Sequence, residues 1–512
     1  MNILCRLVAL VCLPVCYASY SYGGSATWNA SPVSGDWTDA RNWTPNTVPN
    51  GPNDKATFAT SSITAISVPG SIQVHSIIFK LGASAYTITS NPAGDPSALI
   101  LSGAGVMNGS GAVQNFVAAT HAAFGTATIT FQGHATAGIS SIYTASANVV
   151  AGQPGGLIAF TDNADAGLAT FTTRGSSVSG DSAGAMTFSG NSSANEATIN
   201  NFGGGTGGTG GSTVFFDNSQ AGAAIVTAQA GASDSTVGPE IIFADNSDGG
   251  SAQIELTAGG AFNNDVLDLS AHSGTGLSIG VLTAGGTVYL GHSNLTVGLG
   301  IFGSDLGCVI KDGGANGGTA GSITIQGTGI TEMLRASTYT GGTTIESGAL
   351  EISAVSRRGL ATGTGPVQVN GGTLQGSGRI AGAVTIGTGS GAGADLRPGS
   401  SGPNTITVNN TVTFKSDGIY KCLLNTKNPS ASQISVHGLT IESGAQFTFY
   451  ATQSKVIRVG TVFTVIKNTT KSPISGTFAN LADGATITSY GNNFQANYEG
   501  GDGNDLTMTV VP

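Results

Sequence analysis

Apolar residues in the middle of the chain recur with two periods. The shorter period is two residues. "EATINNF" from Glu196, "AAIVTAQ" from Ala223 and "SAQIELTA" from Ser251 alternate as half-buried strands do, one face inward and the other outward. The longer period appears when five phenylalanines are aligned: "FQGHATAG" from Phe131, "FTDNADAG" from Phe160, "FSGNSSAN" from Phe188, "FFDNSQAG" from Phe215 and "FADNSDGG" from Phe243. They are spaced 29, 28, 27 and 28 residues apart, and a degenerate copy, "LSAHSGTG" from Leu269, follows after 26 more. Each unit is completed by a glycine-rich loop and a second strand such as "GGSTVFF" or "GPEIIFA".

A period of this length signals a solenoid, propeller or array. The Gly, Thr and Asn content and the two-residue alternation exclude helical repeats, and a propeller blade needs about 40 residues or more. A coil of two or three short strands fits. The expected fold is all-β, a right-handed single-stranded parallel β-helix of roughly 16 to 20 coils spaced about 4.8 Å apart. In such a stack Phe131, Phe160, Phe188, Phe215, Phe243 and Leu269 form one internal column. Three residues after each come His134, Asn163, Asn191, Asn218, Asn246 and His272, expected as a second internal column of amides at the turn.

The ends read differently. Residues 19–66 hold all three tryptophans, Trp28, Trp37 and Trp43, in a Pro/Asn-rich segment expected to cap the open edge of the stack; exposed rings there would instead stack on sugars. Residues 67–335 carry the long repeats, 336–420 shorter ones, and 421–512 the end of the helix with a C-terminal β cap. The first 18 residues, one arginine followed by a short apolar run and Cys16-Tyr17-Ala18, read as a secretory signal peptide, so the expected location is extracellular or on the cell surface.

Composition narrows the partners. Charged residues are only 9% of the chain, Gly supplies 80 residues, and the net charge is −10. Without a basic run, and with the Arg357-Arg358 pair read as a solvated turn, neither nucleic acid nor an anionic membrane is an expected partner. No segment is apolar and long enough to insert into a membrane by itself. Once the signal peptide is gone only Cys308 and Cys422 remain, too far apart in a coil stack to bridge and lacking zinc spacing.

The shorter repeats carry a resemblance. "YTGGTTIESGALEI" from Tyr339 places Tyr339, Gly341, Thr343, Ile345, Gly348 and Leu350 on the pattern Y-x-G-x-T-x-I/V-x-x-G-x-L. It resembles the autotransporter-associated β-strand repeat. The opening "SGDWTDARNW" and the tail from "GTFANLADG" are similar to the usual start and end of such passengers. The resemblance implies an exported, often adhesive β-helix with no fixed catalytic residues. Many relatives continue into a membrane barrel; this chain stops at Pro512, so export and anchoring are expected to use another route.

Parallel β-helices also host polysaccharide lyases and hydrolases, whose chemistry needs carboxylates from neighbouring coils. Asp162, Asp217 and Asp245 each follow a column phenylalanine by two residues. Asp217 and Asp245, on successive coils, would lie about 5 Å apart, the separation of a retaining glycosidase pair. Asp265 and Asp268 form a second pair, read as a solvated turn. "GGDGNDLT" from Gly500 resembles one calcium-binding nonapeptide, with Asp502 and Asp505 as ligands. A single copy between alternating flanks is read instead as a hairpin bend. Six scattered histidines without H-E-x-x-H and glycine clusters without a following Lys-Ser/Thr give no cofactor motif. The expectation is a structural or adhesive module meeting surface glycans or cell-surface proteins through its loops, with a polysaccharide-active enzyme as the alternative.

Overall fold

The computed structural model describes residues 23–512 except 93–96, 122–124, 149–151, 178–179, 232–236, 258–263, 275, 299–302, 354–358 and 452–453. The signal-peptide reading and the Arg357-Arg358 pair therefore lie outside the described residues. The chain is an all-β parallel solenoid of about 14 turns. That is fewer than the sequence suggested, because the long coils use 27 to 29 residues each. Among the described residues the one helix is a single 3-10 turn, Ala40–Asn42. The residues divide into two compact units, one ending at Tyr289 but including Gly314–Asn316, the other holding residues 290–313 and 317–512.

In the first unit each long coil contributes two strands. Leu157–Phe160, Ala185–Phe188, Ser212–Phe215 and Glu240–Phe243 pair in parallel along one sheet. Thr170–Thr173, Thr198–Phe202, Ile225–Gln229 and Gln253–Thr257 do so along a second. Phe131, Phe160, Phe188, Phe215 and Phe243 stand directly opposite one another and are fully buried. Their rings lie 4.6, 4.9, 4.8 and 4.7 Å apart and 4 to 12° from parallel. Ile242 opposes Asp268, which brings the buried Leu269 next in this column. Parallel pairing at one-coil spacing leaves a flat ring little choice but to stack on its own kind.

A second internal column faces the first: Phe116, Tyr143, Phe171, Ile199, Val226, Ile254 and Leu282, each opposite the next. Phe131 meets Tyr143, and Phe160 meets Phe171, edge to face at 5.5 and 5.7 Å. The corner between the sheets follows from the repeat. Two residues after the phenylalanine, Gly133, Asp162, Gly190, Asp217 and Asp245 take φ between +53 and +67°. Seven residues after it, Gly138, Gly167, Asn195, Gly222 and Gly250 again take positive φ. These two left-handed steps are why Gly, Asp and Asn occupy these places. Between them Thr136, Asp165, Ser193, Gln220 and Asp248 bridge coil to coil in a single-residue ladder.

The first coils hold the tryptophans. Trp28, Trp37 and Trp43 are at most 1% exposed and pack edge-to-face, with Trp43 4.9 Å from each of the other two. Phe58, which sits 5.3 Å from Phe79, touches all three. Each indole N–H donates to a backbone carbonyl, of Ile63, Pro49 and Trp37 respectively. No ring face is left for a sugar. The buried Asn42 amide folds the connecting segment by accepting from Val33 and Ser34 N–H and donating to Asp36 O.

The second unit repeats the plan with columns that mix aliphatic and aromatic residues. Ile345, Val369, Ile386, Phe414 and Ile441 oppose one another in one sheet, and Leu350, Leu374, Leu396, Tyr420 and Phe447 in another. The Tyr339 hydroxyl, fully buried, lies 2.6 Å from Thr343 Oγ1, and Gly348 turns with φ +72° between inward Ile345 and Leu350. Cys308 and Cys422 are buried, and burial pushes the Cys422 thiol well above its ordinary range. After Val462–Asn468, which still pairs in parallel with Gln433–Val436, the chain turns antiparallel through Thr486–Ser489, Asn492–Gly500 and Asp505–Val511.

Candidate functional site

The aspartates after the column phenylalanines lie on the outside of the first unit, exposed, at the left-handed corner. Asp162 Oδ2 accepts the Gly133 N–H at 2.9 Å, Asp217 Oδ2 that of Gly190 at 2.8 Å, and Asp245 Oδ2 that of Asp217 at 3.2 Å. Each carboxylate thus reaches one rung back and caps the equivalent turn of the preceding coil. Asp217 and Asp245 are neighbours, as the register requires, but both are turned toward backbone donors.

The asparagines are placed differently from the sequence expectation. Asn163, Asn191, Asn218 and Asn246 are exposed, not internal. The residues one place further on, Ala164, Ser192, Ser219 and Ser247, are buried in their stead, as is Ala135. The reason is the left-handed step just before them, which rotates the asparagine outward and the next small side chain inward. Stacking survives on the surface: Asn191 Nδ2 lies 3.4 Å from Asn163 Oδ1, and the backbone N–H of Asn163, Asn191, Asn218 and Asn246 each bonds the previous coil. In the last copy the offset reverts. His272 is buried, with Nε2 2.9 Å from Ser247 O.

Asp265 and Asp268 are not a solvated turn. Asp265 is completely buried, and Asp268 is 6% exposed. The segment Gly314–Asn316 closes over Asp268: its carboxylate accepts from Ser270 and Ala315 N–H, both at 2.8 Å, while Asn316 N–H donates to Ser270 Oγ. Glu240, opposite Val266 on the adjacent strand, is largely covered. Burial, with the charge of Asp268 added, pushes its carboxyl up to about 7. Burial alone pushes Asp265 up to about 6. Among the described residues neither carboxylate oxygen of Asp265 has a hydrogen-bond partner. Sequence reasoning missed Glu240, because in one dimension it is only the outward residue of a strand. Pairing is what brings it within reach of the charge of Asp268.

"GGDGNDLT" is a hairpin turn. Gly500 opposes Asp505, Gly503 N–H donates to Gly500 O at 2.9 Å, and Gly501 and Gly503 take φ of +61 and +108°. Asp505 Oδ1 accepts the Asn468 N–H at 2.9 Å. Burial raises the Asp505 carboxyl, and the nearby charge of Asp502 adds to this. Asp502 and Asp505 thus belong to the bend, with Asp505 tying it to the strand before. Among the described residues no group of three His, Cys, Asp or Glu side chains is arranged to hold a metal ion.

One cleft, in the second unit, has about 300 Å³ of open volume. It lies between the loop at 400–403 and the hairpin that joins Gly418–Asn425 to Ser430–Ala431, with Arg397 and Tyr450 on its walls. Neither its cations nor its tyrosine stands out in the sequence, since they are contributed from three separate segments. No family model matches this chain, and no curated protein matches it.

Proposed function

We propose that the protein is an exported β-helical passenger, a structural and adhesive module of the autotransporter-associated repeat type, which meets glycans or cell-surface proteins through its loops. The observation that carries this reading is the use made of the carboxylates. Asp162, Asp217 and Asp245 spend their oxygens on turns of the neighbouring coil. In the second unit Asp417 similarly accepts from Thr388, Gly389 and Gly391 N–H. Acids used in this way stiffen a scaffold. The Tyr339–Thr343 bond and the Gly348 turn give the resembling motif a structural purpose of the same kind.

A second reading, a polysaccharide-active enzyme, draws on one observation: burial and the charge of Asp268 push the Glu240 carboxyl up to about 7, where a general acid would work. One experiment separates the two. The secreted chain is applied to a glycan array and to cells, and the same polysaccharides are assayed for reducing-end release. Binding without release, unchanged in D217N, D245N and E240Q, is the result expected. Release that any of these substitutions abolishes would overturn the adhesive reading.

A further inference from the structure

We propose that the cleft of the second unit is a binding site for an acidic saccharide, a sugar chain bearing uronate carboxylates. This deepens the adhesive reading and rests on it for its biological sense. The cleft is built by interruptions of the coil. Strand Ala394–Pro398 presents Arg397 outward and then leaves the sheet as the loop at 400–403. Strand Gly418–Asn425 runs on into a hairpin, with Leu424 opposite Ala431 and Asn425 opposite Ser430. Asn425 Oδ1 accepts the N–H groups of Lys427 and Asn428, which fixes the hairpin tip and holds Lys427 over the cleft. Tyr450, 50% exposed, ends the neighbouring strand and offers a ring to the same space.

The charges are uneven in a way that points to an anion. The acid nearest Arg397 along the chain is already engaged, since Asp395 pairs with Lys421 at 2.5 Å, and Glu351, two rungs away, accepts from Gln375 Nε2 at 2.8 Å. The Arg397 guanidinium meets only the neutral Gln375 Oε1, and its Nε is buried with no acceptor. Among the described residues neither Arg397 nor Lys427 is in an ion pair. What sets this place apart is that a guanidinium and an ammonium line one cleft of a chain that carries only 18 cations against 28 acids. The guanidinium and ammonium that line the cleft are matched by an incoming carboxylate through charge-assisted hydrogen bonds. The tyrosine ring and the hydroxyls of Ser400 and Ser401 favour a sugar as the bearer of that carboxylate. A pyranose lays its C–H face on an aromatic ring and bonds hydroxyls at its edge, and a volume near 300 Å³ suits one to two rings.

The test is calorimetric binding of the full chain to galacturonate oligomers and to galactose oligomers of equal length. Galacturonate oligomers are expected to bind at least about 10-fold tighter, with affinity falling as salt rises. R397Q and K427A should each weaken that binding about 10-fold, and Y450A should weaken both ligand series. K415A, which removes a cation paired with Glu442, should change nothing. Thermal unfolding of all four variants should match that of the parent, which keeps the comparison free of folding defects. Equal affinity for the two series, or binding that R397Q and K427A leave intact, overturns the assignment. So does equally tight binding of polyglutamate, which would show that no sugar ring is read. Array binding that persists in the R397Q/K427A double variant sinks the cleft and spares the adhesive reading. Galacturonate binding abolished by R397Q, in a chain that holds no cell or array glycan, does the reverse.

Discussion

The two units solve the same stacking problem with different side chains. In the first, five phenylalanines follow at 27 to 29 residues with rings nearly parallel. In the second, Leu350, Leu374, Leu396, Tyr420 and Phe447 follow at 24, 22, 24 and 27 residues, in register but mixed. The rung spacing is set by backbone pairing and is common to both. The longer coils spend their extra residues outside the core, in glycine loops whose backbones lie against one another. A Cβ on Gly203, for instance, would fall 2.1 Å from Gly231 N. A flat ring stacks well only on another ring, whereas branched aliphatic groups interdigitate with many neighbours. Sequence identity between coils is therefore demanded where rings stack and relaxed where they do not.

The largest expected effect tests that contrast in the core. Phe188→Ala, in the middle of the ring column, should cost about 4 kcal/mol, and Leu374→Ala in the second unit about 3 kcal/mol. The sharper difference lies in Phe188→Leu and Leu374→Met, both near volume-conserving. The first should still cost about 1 to 2 kcal/mol, since two ring stacks are lost, and the second under about 1.5 kcal/mol. Denaturant unfolding followed by near-ultraviolet circular dichroism measures both.

Next comes a pH dependence from two covered acids of the first unit. Glu240 and Asp265 hold protons more tightly folded than unfolded, so their charged forms destabilise. Stability is full at and below the ordinary carboxylate range, about 4, and falls as pH rises toward 7. Glu240→Gln should flatten this slope and add about 2 kcal/mol above pH 7, as read from melting at a series of pH values. A smaller effect belongs to the second unit. Thr343→Val leaves the buried Tyr339 hydroxyl without its partner and should lower stability by about 1 to 2 kcal/mol.

The smallest effect distinguishes a turn residue from a catalytic one. Asp217→Gly should be within about 0.5 kcal/mol of neutral, because Gly133 and Gly190 fill the same left-handed position in other coils. Asp217→Val should cost about 1 to 2 kcal/mol from the strained φ and the lost cap. Thermal melts of the pair, run together, supply the comparison.

These contrasts also explain what could be read from the sequence. The ring column was legible because it repeats one residue type at a narrow spacing. The facing column passes from Phe116 through Tyr143 and Phe171 to Ile199, Val226, Ile254 and Leu282, and that change of type hides it. The side on which the asparagines stand is not legible, because an amide suits an internal ladder and an outer one equally and a corner with two positive-φ steps decides between them. The turn role of Asp217 and Asp245 was visible in the Gly/Asp exchange at their repeat position. The Glu240–Asp268 pair was not, since it depends on strand pairing and on residues 314–316 closing over Asp268. The cleft at Arg397, Lys427 and Tyr450 gathers three distant segments and leaves no local pattern.

The register itself can be tested by disulfide mapping. Thr198 opposes Ile225, and Ile225 opposes Gln253, on the outer face of the second sheet. Cysteines at 198 and 225 would have Cα atoms about 4.8 Å apart, and at 198 and 253 about 10 Å apart. After mild oxidation, peptide mass spectrometry should find the first pair joined nearly completely and the second not at all. Equal cross-linking of both pairs, or none of the first, would contradict a stack in which each coil rests on the last.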